Sequence, residues 1–89
     1  MLCRIEIRRE PDRVIVHLAG RLSEAQVPAL IEACAQAGSR AILELDELVS
    51  ADAVGLDALM RIERQGGIFV GLPEYLRLKM DVLAREFKR

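Results

Sequence analysis

The sequence predicts an α/β domain with a four-stranded mixed sheet, order β-β-α-β-α-β-α, covered mainly on one face by three helices. Two observations carry this. Short apolar or alternating runs (Cys3 to Arg8, Val14 to Leu18, Ala41 to Leu45, Ile68 to Val70) have the length and period of strands. Between and after them lie stretches with apolar residues three and four apart, each opened by a helix-start signal. The whole chain, 1–89, is expected to be one domain.

Cys3, Ile5 and Ile7 alternate with Arg4, Glu6 and Arg8, which predicts a half-buried strand at or near an edge. Pro11-Asp12 predicts a turn, because Pro presets φ and Asp can bond the backbone that follows. Val14 to Leu18 is nearly all apolar and predicts a more central strand, antiparallel to the first. Ser23 and Gln26 have capping-box spacing at a helix start. Val27, Leu30, Ile31 and Cys34 follow on one face, and Gly38 stops the helix. Ala41 to Leu45 predicts a third strand and Asp46 to Ala51 a loop.

Asp52 is placed to cap the second helix, since its carboxylate can accept the free N–H groups of the first turn. Leu56, Leu59 and Met60 are expected inside, with Asp57, Arg61 and Arg64 outside. Gly66-Gly67 ends that helix, and Ile68 to Val70 is the fourth strand. Pro73 opens a last helix running to about Phe87. Its core stripe is Leu72, Leu76, Met80, Leu83 and Phe87; a second stripe, Tyr75, Leu78 and Val82, either packs on the sheet edge or first helix or forms a homodimer or partner surface.

A hydrophobic content of 52% excludes a disordered chain. With 13 basic and 14 acidic residues, no positive excess exists to neutralise phosphates, so a nucleic-acid partner is not expected. No apolar run approaches the ~20 residues that span a bilayer, so no membrane insertion is expected. The first residues gain charge at once, unlike a signal peptide. Cys3 and Cys34 read as reduced thiols, which fits a cytoplasmic protein.

The chain holds no catalytic constellation. Its one histidine, His17, falls within a strand and is expected on the sheet's second face. One histidine and two distant cysteines match no zinc spacing, and no phosphate loop is present, so no metal or cofactor is expected. Glu44, Asp46, Glu47 and Asp52 would suit a phosphoacceptor site, but the further acidic pair and lysine such a site needs are missing from the other strand ends. A solvated loop and a helix cap are the expectation. Thr is absent, and the only side-chain hydroxyls are on Ser23, Ser39, Ser50 and Tyr75.

Ala41-Ile-Leu-Glu-Leu-Asp-Glu-Leu-Val-Ser-Ala-Asp-Ala-Val-Gly-Leu56 resembles the signature of STAS domains, the family of sulfate-transporter domains and anti-sigma factor antagonists. In that family a strand ends in Asp-Leu, and Asp-Ser-Ser-Gly-Leu then opens a helix. Glu44-Leu45 and Asp52-Ala53-Val54-Gly55-Leu56 stand at those positions without a gap. Gly20-Arg21-Leu22-Ser23 is similar to the family's Gly-Arg-Leu-Asp, with Ser23 in place of the Asp. The family usually carries a further C-terminal strand or helix beyond the positions matched.

The resemblance implies a non-enzymatic interaction module. In the bacterial regulators a kinase that is also an anti-sigma factor phosphorylates the first serine of Asp-Ser-Ser-Gly. Ala53 stands there and Val54 next to it, so that switch has no oxygen to work on. The implied surface comprises Arg21, Ser23, Asp52, Ala53, Val54, Asp57 and Arg61. The implied partner is an anti-sigma-type kinase, a stressosome component or the ATPase of a lipid-transporting ABC system. A small ligand or nucleotide is the alternative.

Overall fold

The computed structural model describes residues 3–38 and 41–87, with the side chain of Phe87 left out. Strands β1 (Arg4–Glu10) and β2 (Arg13–Leu22) form a hairpin through Pro11 and Asp12. A single 3-10 turn, Glu24–Gln26, leads into helix α1 (Val27–Ala37). Strand β3 (Ile42–Ala51), helix α2 (Ala53–Arg64), strand β4 (Ile68–Val70) and helix α3 (Glu74–Phe87) follow. The four strands lie in sequence order, β1 antiparallel to β2 and the rest parallel, which is the predicted mixed sheet with its three helices.

The register sorts side chains by face. Ile7, Val16, Leu43 and Phe69 form one row across the strands. Val16 and Leu43 in that row are fully buried in the core that the helices share. The next row, Glu6, His17, Glu44 and Val70, points to the opposite, open face, because successive residues alternate. Leu18, Leu22, Leu30, Leu45, Leu59 and Leu76 complete an aliphatic interior, with no polar residue buried among the described residues. Each such leucine contributes roughly 1.5–3 kcal/mol by leaving water. Ile15 is buried too, but on the open face, between Arg8 and Ile42 in register.

Two expectations need correction, and one open alternative is narrowed. Asp46 to Ala51 is strand, not loop: β2 runs on to Leu22, and its extra residues pair with Glu47 to Ala51. The register slips between His17 and Ala19, so β3 carries a bulge there that breaks its period. Ile31 is exposed, because Ala33 takes the inward position beside Leu30. The second stripe of α3 does not pack: Tyr75, Leu78 and Val82 are each about half exposed. The core stripe holds at Leu76 and Met80, with Leu72 and Leu83 partly buried, while the side chain of Phe87 lies outside the described residues.

Candidate functional site

The parallel pairing of β2 with β3 brings two chain exits together. Leu22 stands beside Ala51, and Arg21 beside Ser50. Asp52 ties the exits to α2. Its backbone N–H donates to the Leu22 carbonyl at 3.0 Å. Its Oδ1 accepts the Gly55 N–H at 2.7 Å, the predicted cap, and its Oδ2 accepts the Glu24 N–H at 3.0 Å. One carboxylate thus satisfies an orphan donor of α2 and a donor of the 3-10 turn. Gly55 is needed for contact, since a Cβ there would stand 2.8 Å from the Leu22 carbonyl oxygen.

Around this joint the implied surface is assembled. Ala53 is exposed at the first position of α2, and Val54 is 41% exposed. Arg21 is exposed on the neighbouring strand end. Asp57 and Arg61 pair along the outer side of α2, Arg61 Nη2 donating to Asp57 Oδ2 at 3.2 Å. Ser23 is occupied locally: Gln26 Oε1 accepts from both its hydroxyl and its backbone N–H, the latter at 3.2 Å. Ser50 lies in β3, partly buried; Ser39 lies outside the described residues.

Sequence reasoning did not connect this surface to α3. A groove of about 510 Å³ joins them, with Ala53 and Leu56 on one wall and Leu78, Lys79 and Val82 on the other. Its floor and walls are mostly aliphatic, with the Lys79 ammonium and Asp52 carboxylate as the charges. Tyr75 is exposed but does not line it. The signal was present in the sequence as the second stripe of α3; only the packing angle of the two helices turns that stripe toward Ala53.

His17 lies on the open face as expected, inside a polar chain across three strands. Arg8 Nη2 donates to Glu44 Oε2 at 2.9 Å, Glu44 Oε1 meets His17 Nδ1 at 3.2 Å, and His17 Nε2 meets Glu47 Oε1 at 2.9 Å. The β3 bulge makes this geometry, since residues 44 and 47 flank the same imidazole. Glu47 above all, then Glu44, favours imidazolium and raises the His17 pKa against desolvation. Arg8, then His17, lowers that of Glu44. Glu44 and Glu47 are thereby remote from Asp52, and the acidic residues form no common site. No group of metal-ligating side chains occurs among the described residues. Burial raises the Cys3 and Cys34 thiols, which favours their protonated form.

No family model and no curated protein sequence matches the chain. Solved structures do. SpoIIAA, an anti-sigma factor antagonist in its unphosphorylated form, superposes with a TM-score of 0.60 at 15% identity, over 97% of this chain and 100% of that one. The fold is the STAS fold. An antisigma-factor antagonist STAS domain from Rhodobacter sphaeroides matches with a TM-score of 0.58 at 22% identity, over 79% of this chain and 87% of that one. The crystal structure of Mglu matches with a TM-score of 0.58 at 24% identity, over 72% of this chain, which spans only 18% of that protein. At these identities the likeness carries the STAS architecture and no residue roles. No described helix is long and apolar enough to cross a membrane.

Proposed function

We propose that this STAS-type module is non-enzymatic and binds a protein through the start of α2 and the groove beside it, without phosphoserine switching. The observation that carries the reading is the contact between two features: an exposed Ala53–Val54 pair lacking any hydroxyl, and the aliphatic groove that runs from it to Leu78 and Val82. A partner helix or loop would lay apolar side chains in that groove, with Arg21, Asp57 and Arg61 at the rim for orientation. Ser23, Asp52 and Gly55 hold the joint in shape rather than reach outward.

The groove's continuity supports reading Leu78 and Val82 as part of this partner surface rather than of a homodimer. Tyr75 lies on the same exposed stripe of α3, outside the groove wall. An anti-sigma-type kinase, a stressosome component or the ATPase of a lipid-transporting ABC system would fit. The ATPase fits best, because a subunit without a phosphoacceptor at this place attaches rather than toggles.

A photo-crosslinking residue at position 78, introduced in the native cell, tests the proposal. It is expected to capture one ATP-binding protein. Val54→Asp, Asp57→Arg and Arg61→Glu are expected to reduce that capture, while the open-face control Val70→Asp leaves it intact. If the first three changes leave capture unchanged, the surface is wrong.

A further inference from the structure

We infer that a second copy of this chain pairs with β1 edge to edge, antiparallel, about a two-fold axis at Ile7, joining the two sheets into one. β1 is the first strand of the sheet, and among the described residues nothing pairs with its outer side. It is seven residues long, against three for the opposite edge, β4. Ile7 at its centre is 37% exposed.

The hydrogen-bonding parity is fixed by the hairpin. Glu10 and Arg13 flank the two-residue turn and pair with each other, so Glu10, Arg8, Glu6 and Arg4 spend their backbone groups on β2. Ile5, Ile7 and Arg9 therefore present their N–H and C=O groups outward. An antiparallel copy must set outward residues against outward residues, which leaves registers two residues apart. Centred on Ile7, Ile7 meets Ile7 of the second copy, and Ile5 meets Arg9.

Charge selects that register. On the open face β1 reads Arg4, Glu6, Arg8, Glu10. With the axis at Ile7, Arg4 meets Glu10 of the second copy and Glu6 meets Arg8, so every facing pair is of opposite sign. These are the non-hydrogen-bonded pairs, where side chains approach most closely. A slip of two residues one way sets Arg4 against Arg8 and Glu6 against Glu6. The other way it sets Glu6 against Glu10 and Arg8 against Arg8. A parallel, in-register pairing sets every charge against itself. Edge charges ordinarily keep strands apart; here their signs obey the one two-fold that the backbone also permits. No β1 residue lines the groove at α2, so the inference stands apart from the proposed partner surface.

Sedimentation equilibrium of the full chain at low salt, with amide exchange by NMR at two concentrations, tests the pairing. One edge strand against another is at the small end of interfaces, so the dimer is expected to be weak and concentration-dependent. The amides of Ile5, Ile7 and Arg9 are expected to slow with concentration, and those of Arg4, Glu6 and Arg8 to stay as they are. Glu6→Arg alone and Arg8→Glu alone each set like charges opposite twice, and each is expected to weaken the dimer at least tenfold. Mixed together they are complementary and are expected to restore it. Ile7→Pro removes an outward N–H without touching the hairpin ladder and is expected to give a folded monomer by circular dichroism. A wild-type chain that stays monomeric at about 1 mM overturns the inference. So does a dimer whose protected amides lie on α3, or an equimolar mixture no tighter than either variant alone.

Discussion

The carbonyl oxygen of Leu22 stands 2.8 Å from where a Gly55 side chain would begin, with Leu22 Cγ at 3.0 Å. The end of β2 and the first turn of α2 are therefore in backbone contact, and a methyl at position 55 must push them apart. Alanine would gain about 1 kcal/mol of helix propensity over glycine, but the clash with backbone costs about 1–3 kcal/mol. Gly55→Ala is expected to destabilise the fold by a net of about 0–2 kcal/mol, centred near 1. Urea unfolding measures it, and a gain in midpoint would mean the two segments separate freely.

Asp52 is expected to matter more than a usual cap, because its two oxygens serve different segments, Gly55 of α2 and Glu24 of the 3-10 turn. Asp52→Ala removes both and should cost about 2 kcal/mol, the upper end for an N-cap. Asp52→Asn keeps one acceptor and should recover roughly half of that loss. Hydrogen exchange supplies the finer check: Gly55 and Glu24 amides should both accelerate in Asp52→Ala, and only one of them in Asp52→Asn.

His17 predicts the pH dependence of stability. Glu47 and Glu44 raise its pKa in the folded protein above the usual ~6.5. Its contribution is therefore complete below about pH 6.5 and lost as pH rises through the folded value. Glu44, lowered by Arg8 and His17, contributes above its ordinary ~4.5 and fades as pH falls through its folded value. His17→Gln is thus expected to be most costly near pH 5–6, by at most about 1 kcal/mol because Arg8 and Glu47 are well exposed to solvent. At about pH 9 the difference should shrink toward zero, read from urea midpoints across the range. An equal loss at both pH values would mean the imidazole acts by packing alone.

The particular residues explain what could be read in advance. Asp52, Gly55 and Leu56 act within four residues of one another, so their spacing in the chain already states the cap, the close approach and the first core contact. The alternation in β1 and the turn at Pro11-Asp12 are equally local. β3 was legible only to Leu45, because the bulge after Glu44 interrupts the period of two by which strands are recognised, and the pairing of Glu47 to Ala51 depends on how far β2 extends. The groove was legible as two separate hints. Ala53 and Leu78 are 25 positions apart, and only the docking of α3 on α2 makes them neighbours.

Ala53 allows stability and binding to be separated. It is the exposed first residue of α2, and that first turn holds no acidic side chain. A glutamate there would meet the positive end of the helix dipole, worth about 0.3–1 kcal/mol, less some repulsion from Asp52 next to it. Ala53→Glu should therefore leave the urea midpoint unchanged or slightly raised. The same carboxylate would project at the mouth of an aliphatic groove, where a docking partner must strip its water. Capture of the partner through position 78 should fall at least tenfold, the effect that phosphate would have on a chain carrying serine at that place. A variant that folds as well as the parent and still binds as tightly would remove the first turn of α2 from the interface and leave the groove with α3 alone.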